Sequence, residues 1–349
     1  MYGQPTSWEE NIAGVMFPGQ IQKAAWSLCN RFIAVAWGMP MSTLEILDSV
    51  TLGQLTVLEF PLGKPPFLHW LDFSPDTCLL TCFCGKPGKL ISWDLQTGVL
   101  VSAISLEQQT YPLYQSSVTY SASGTMLGVL HYSDYDSAIY TYNVFSGIHL
   151  CSHSFNGSAL NIWTHGECLQ FAMVGTGSIT IWEVNFTSTH APKEVGSLPL
   201  PNHQDFQGLE FKFHPIPSRL TTSSNGKISV WDAQDLKPLL NFNGLGYISF
   251  SLDGHFCACQ TNGPELFLWK ESPTGYILHR KLGSNTQYSQ PLISPDGESI
   301  ITLKDSSILL WRTTDSTTSL SAISTQTSPR VEKTFILGFS PDEALAAVI

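Results

Sequence analysis

Eight cysteines and ten histidines are the side chains in this 349-residue sequence best suited to metal binding or nucleophilic chemistry. Cys82/Cys84 and Cys257/Cys259 form the close pairs, each spaced i, i+2 inside an apolar run. That spacing places both thiols on one face of a strand, a poor geometry for bridging each other or chelating zinc. It predicts small core residues kept reduced. His149 and His153 lie four apart on a predicted strand, sharing a face but too far apart for an easy chelate, and no Cys-x-x-Cys accompanies them. Neither a Gly-x-Ser-x-Gly elbow nor a Walker-type loop occurs. Asp76, Asp253 and Asp296 fall in turns, where bonding of the carboxylate to the backbone accounts for them. The expectation is a chain with no catalytic residue, no metal site and no cofactor.

Composition narrows the partners. The formal net charge is -11 with 17 Lys plus Arg, which argues against nucleic acid and acidic membranes as partners. Hydrophobic residues are 43% and charged residues 13%, enough to bury a large core with little charge to keep segments disordered. Residues 1–17 carry no basic stretch followed by an apolar one, and no run reaches the length of a membrane span, so a cytoplasmic protein is expected. Without a secretion signal, the two glycosylation sequons at Asn156 and Asn185 are read as chance.

The elements that would position these residues come from internal repetition. One copy runs from Leu71-Asp72-Phe73 through a Ser74-Pro75-Asp76 turn, a strand to Phe83, a Gly-rich turn, and Leu90-Ile91-Ser92-Trp93-Asp94. Thr97-Gly98 then marks a turn before a fourth strand, Val99 to Ile104. Four strands joined by three hairpin turns have the make-up of one propeller blade. The first turn recurs at Ser121, Ser251, Ser294 and Ser340, with weaker forms at Ser27, Thr164 and His214. The third strand recurs at Ile139–Asn143, Ile179–Glu183, Ile228–Asp232, Leu266–Lys270 and Ile308–Arg312, and without the aromatic at Leu44–Asp48. Successive copies lie about 38 to 49 residues apart, overlapping the blade period. The fold class is therefore all-β, a β-propeller of seven to eight four-stranded antiparallel blades, over a single domain spanning 1–349.

The Trp93-Asp94 and Trp231-Asp232 endings, with the preceding β-branched alternation and Ser-Pro-Asp turns, resemble the WD-repeat family from about Lys23 to Ile349. The Gly-His dipeptide that opens regular repeats is missing, since Gly254-His255 lies in the wrong turn. The family's buried Asp-His-Ser/Thr-Trp network is therefore in doubt, and the blades are expected to rely more on apolar packing. The degenerate repeats also resemble the C-terminal sensor regions of fungal NACHT-type signalling proteins. The resemblance implies a non-catalytic scaffold that binds a protein partner, or a ligand-sensing platform. The alternative is a propeller enzyme resembling a quinoprotein dehydrogenase, which needs a central acidic and metal-binding cluster.

One loop draws attention as a contact surface. His131-Tyr132-Ser133-Asp134-Tyr135-Asp136 joins the second and third strands of its blade and combines amphipathic area with charge. By family resemblance this turn projects on the face most used for ligands. Tyr132, Asp134, Tyr135 and Asp136 are the candidate partner-binding residues, with Lys86 and Lys89 from the equivalent turn one blade earlier. The repeated Trp, tempting as a stacking platform, is expected to pack between blades instead. Residues 313–330 read as a Ser/Thr-rich loop and Asn185 to Gln207 as an extended connection. The stretch Ile336 to Ile349 holds only two strands of a blade: either a strand within the N-terminal segment 1–22, at Ile12 to Phe17, helps complete it, or the repeats are part of a longer array, which the abrupt end inside a hydrophobic strand favours.

Overall fold

The computed structural model describes residues 13–38, 42–61, 67–84, 88–106, 115–132, 136–157, 159–165, 167–174, 178–199, 210–213, 219–224, 227–232, 237–243, 248–260, 266–273, 275–282, 289–313, 336–339 and 346–348. These residues form strands and turns, with no helix among them, and so none long and apolar enough to cross a membrane.

Seven sheets of four antiparallel strands make this a seven-bladed β-propeller, the lower of the two expected counts. Blade 1 holds Ile21–Trp26, Phe32–Trp37, Thr43–Asp48 and Gln54–Leu58. Blade 2 holds Leu68–Phe73, Leu79–Cys84, Lys89–Asp94 and Leu100–Ser105, and blade 3 holds Gln115–Tyr120, Met126–Tyr132, Asp136–Asn143 and His149–Asn156. Blade 4 consists of Ala159–His165, Cys168–Val174, Ser178–Asn185 and Lys193–Pro199. Blade 5 is Glu210–Phe213, Arg219–Ser224, Lys227–Asp232 and Pro238–Asn243, and blade 6 is Ile248–Phe250, Phe256–Gln260, Leu266–Ser272 and Gly275–Leu282. Blade 7 has Ser289–Ile293, Ser299–Lys304 and Ser307–Arg312 as its first three strands. Blades 1–4 fall in one compact unit and blades 5–7 in a second.

Two kinds of turn recur because two kinds of side chain cap them. Between the first and second strands, a buried serine hydroxyl accepts the N–H that opens the second strand. The pairs are Ser27 with Phe32, Ser74 with Leu79, Ser121 with Met126, Ser251 with Phe256 and Ser294 with Ser299, at 2.9–3.1 Å. Ser74, Ser251 and Ser294 donate in turn to Asp76, Asp253 and Asp296 at 2.5, 2.5 and 2.6 Å. Each of those carboxylates also accepts an N–H two residues on. The Ser-x-Asp pattern is thus a closed hydrogen-bond circuit, as its turn chemistry requires. Between the third and fourth strands the capping group is Asp48, Asp94, Asn143 or Asn185, accepting N–H groups two or three residues later. In the Trp-Asp ending, the carboxylate holds the turn while the indole packs.

That packing runs between blades. Trp93 lies in one cluster with Ala34, Leu44 and Ile46 of blade 1. Tyr142 of blade 3 packs with Leu79, Phe83 and Leu90 of blade 2. In the other unit, Trp269 of blade 6 packs against Val230 and Phe242 of blade 5, and Trp311 of blade 7 against Leu268 and Leu282 of blade 6. The aromatic at the end of the third strand is therefore a wedge against the preceding blade, as expected. Cys82, Cys84, Cys257 and Cys259 are buried free thiols within these same clusters.

Three expectations change. Ala13–Met16 does complete a blade, but it pairs with Ser307 to Leu310 as the fourth strand of blade 7. Ile336–Phe339 and Ala346–Val348 form a separate two-stranded sheet. The blade whose edge needed covering was the complete three-stranded one. Within Asn185 to Gln207, Lys193–Pro199 is the fourth strand of blade 4 and not a connection; Pro192 precedes this edge strand and Pro199 ends it, where a missing N–H is tolerated. Trp182 is not the counterpart of Trp93. Counting from the capping Asn185, that place belongs to Val184, which pairs with Leu169 as Trp93 pairs with Leu80. The Ser/Thr-rich residues 314–330 and the His214-Pro215 turn lie outside the described residues.

Candidate interaction site

Three of the six residues singled out from the sequence, Lys89, Tyr132 and Asp136, belong to the edge of blades 2 and 3 where the second strand turns into the third. Lys89 opens the third strand of blade 2, half-buried, opposite Cys84 and Ser105. Tyr132 ends the second strand of blade 3 opposite Ser137, and Asp136 opens the third strand opposite Asn156. Tyr132 is half-buried and packs on the cluster of Leu130, Ile139, Ala159 and Ile162, so part of its ring serves the junction between blades 3 and 4. Lys86, Asp134 and Tyr135 lie outside the described residues.

A run of rings ties this edge together. His69 lies 5.7 Å from Phe83, Phe83 lies 6.0 Å from His131, and His131 lies 5.6 Å from Tyr140, centroid to centroid. The ends of the second strands of two consecutive blades are therefore in contact through Phe83 and His131, beside the two candidate turns. Cys84 is held below the ordinary thiol range by a hydrogen bond from Cys82 and by the Lys89 ammonium, against the opposing effect of burial.

His131 is the member of this group that sequence reasoning misplaced by reading it as part of an exposed turn. It is only 7% exposed. Its Nδ1 lies 2.9 Å from Ser116 Oγ, and its Nε2 is buried with no hydrogen-bond partner. Burial pushes its pKa down to about 4, so the imidazole is neutral at neutral pH. A serine beside a histidine has the outline of a nucleophile and base. A base with so low a pKa is a poor proton acceptor, and the nitrogen away from Ser116 has no carboxylate to orient it.

A second polar group lies deeper in the same two blades. Tyr120 donates to Thr81 Oγ1, and Thr81 lies 2.7 Å from Ser92 Oγ, joining blade 3 to blade 2 through buried hydroxyls. Asp72, on the first strand of blade 2, is pushed up to about 7 by the protein packed around it, offset in part by a 2.9 Å bond from the Phe73 N–H. Water reaching the exposed side of Asp72 tempers that rise. Among the described residues no group of three His, Cys, Asp or Glu is placed to hold a metal ion.

The buried hydrogen bonds that the WD-repeat resemblance put in doubt are present in part. Trp231 Nε1 donates to Thr222 Oγ1 and Trp311 Nε1 to Thr302 Oγ1, both at 2.9 Å, which reproduces the Trp–Thr pair in blades 5 and 7. In blade 6 Cys259 stands where the threonine would be, so the Trp269 indole meets a thiol, a weak acceptor, in place of a hydroxyl. Trp93 donates to the Glu59 carbonyl at 3.0 Å instead.

Fold and site together define a seven-bladed β-propeller of four-stranded antiparallel blades. No protein-family model and no curated protein matches this chain. Among solved structures it is similar to the β-propeller domain of Cps50 (Swd1) from Myceliophteria thermophila. The TM-score is 0.67 at 17% sequence identity, over 88% of this chain and 100% of that one. At that identity the likeness carries the fold alone.

Proposed function

We propose that the chain, acting as one propeller over 1–349, is a non-catalytic scaffold that binds a protein partner through loops on its rim. Its contact residues are Tyr132, Asp134, Tyr135 and Asp136 of blade 3 and Lys86 and Lys89 of blade 2. The observation that supports this reading is the 6.0 Å contact between Phe83 and His131, which brings the strand ends carrying the two turns side by side. Packed strand ends fix where turns of opposite charge character leave the two sheets, and such preorganisation lowers the cost of binding. A ligand-sensing role like that of the NACHT-type sensor regions would use the same rim, and its support is the resemblance of the repeats.

The test compares partners captured by the full chain with those captured by a Lys86→Glu/Lys89→Glu/Asp134→Lys/Tyr135→Ala variant of unchanged thermal midpoint. Loss of a specific partner is the expected result. An unchanged set of partners overturns the assignment to these loops.

A further inference from the structure

We infer that the opposite edge of blades 1–3, made by their first-to-second and third-to-fourth turns, is a second docking surface that takes a basic segment of another protein with apolar anchor side chains. This inference is independent of the contact residues proposed above.

The turns of this edge are 27–31 and 48–53 in blade 1, 74–78 and 94–99 in blade 2, and 121–125 and 143–148 in blade 3. Each blade locks its pair of turns together with a backbone bond, from Ser49 N–H to the Arg31 carbonyl, Leu95 to Cys78 and Val144 to Thr125, at 2.9–3.0 Å. The blades adjoin here as well: a Cβ on Gly124 would lie 3.4 Å from Pro75 Cδ.

On this rigid edge large apolar side chains point into water. Val50 is 61% exposed, Val99 60%, Phe145 54% and Ile148 60%. The fold does not require them. Val50 and Phe145 occupy the same place, two residues after the capping Asp48 and Asn143, and the turn uses only their N–H groups, at 3.0 and 3.1 Å. Polar residues are the usual choice at such hairpin tips. The place two residues after the cap is polar in blade 2 (Gln96), but its turn still exposes Val99, so each of the three turns carries an exposed apolar side chain, the composition of an interaction surface.

The charge on the same edge selects the partner. The charged residues in these turns are Asp48, Asp76, Asp94 and Arg31, three carboxylates to one guanidinium, on a chain of net charge -11. Arg31 lies over the Phe32 ring at 5.7 Å. Such a surface repels phosphates and anionic lipid and attracts Lys or Arg flanking an apolar anchor.

A displayed library of random 12-residue peptides, panned against the full chain, tests this. Enriched peptides should combine Lys or Arg with Leu, Ile or Phe, and should bind a Val50→Ser/Phe145→Ser/Ile148→Ser variant at least tenfold more weakly. An Asp48→Asn/Asp94→Asn variant should weaken binding and flatten its salt dependence, because Asn143 already shows that asparagine serves as the cap. Acidic or wholly polar winners overturn the inference. So do winners that bind the serine variant as tightly as the wild type, or that lose binding with Lys86→Glu/Lys89→Glu instead; that last result favours the other edge. A library that yields no binder while the chain sediments with phosphatidylcholine vesicles overturns it too.

Discussion

The indole of Trp311 donates a 2.9 Å hydrogen bond to Thr302 across the second and third strands of blade 7, and Trp231 does the same to Thr222 in blade 5. Blade 6 keeps the indole, Trp269, but faces it with the Cys259 thiol, a weaker acceptor than a threonine hydroxyl. Thr302→Val should lower stability by about 1–3 kcal/mol, the cost of leaving a buried donor unpaired. Cys259→Thr should raise it by about 1 kcal/mol by giving the blade 6 indole a hydroxyl acceptor in place of the weaker thiol. Thermal melts followed by near-ultraviolet circular dichroism check both; a Cys259→Thr midpoint below that of the wild type would contradict the assignment.

Gly128 faces Leu169 of the next blade at close quarters. A Cβ there would lie 2.6 and 2.8 Å from the two Leu169 methyl carbons, and Leu169 is fully buried. Gly128→Ala should therefore destabilise the protein by about 1–3 kcal/mol through overpacking. Adding Leu169→Val should return part of the loss, and equal midpoints for the single and double variants would place the strain elsewhere.

Thr77 holds a left-handed backbone with φ of 61°, where the matching turns have Gly124, Gly254 and Gly297 at 71°, 73° and 75°. A β-branched side chain is unfavourable there. Thr77→Gly should stabilise blade 2 by about 1 kcal/mol, read as a higher denaturant midpoint at unchanged slope.

His131 should make stability depend on pH. Its folded pKa is about 4 against an ordinary 6.5, so between these values the unfolded chain binds the extra proton. Stability is therefore full above pH 6.5, declines as pH falls toward 4, and has lost up to about 3 kcal/mol below that. The groups that face the ring, Ser116, Phe83 and Tyr140, carry no charge at these pH values that would hold the proton. His131→Leu should flatten this part of the pH profile of the melting midpoint. A profile as steep as the wild type's would assign the effect to other groups.

Much of this architecture can be read locally. The Ser-x-Asp turns and the Asp or Asn after the third strand act through side-chain bonds spanning two to five residues, so their roles follow from residue type and spacing alone. Trp182 shows where local reading slips. The Ile-Thr-Ile-Trp pattern looks like its fellows, and only the cap at Asn185 reveals that the strand runs two residues further. The candidate turns were found from composition, but His131 was not recognised as buried, because what buries it is Phe83 from another blade.

The sequence by itself determined the all-β class, the phasing of seven third strands and the chemistry of the turns between them. Each depends on alternation with period two or on a side chain bonding its near neighbours. Only the tertiary structure decided that Ala13–Met16 completes blade 7, that two tryptophans find threonines while Trp269 does not, and that Val50 and Phe145 face water on one edge. Those outcomes rest on which distant strands meet and which surfaces remain uncovered once they have.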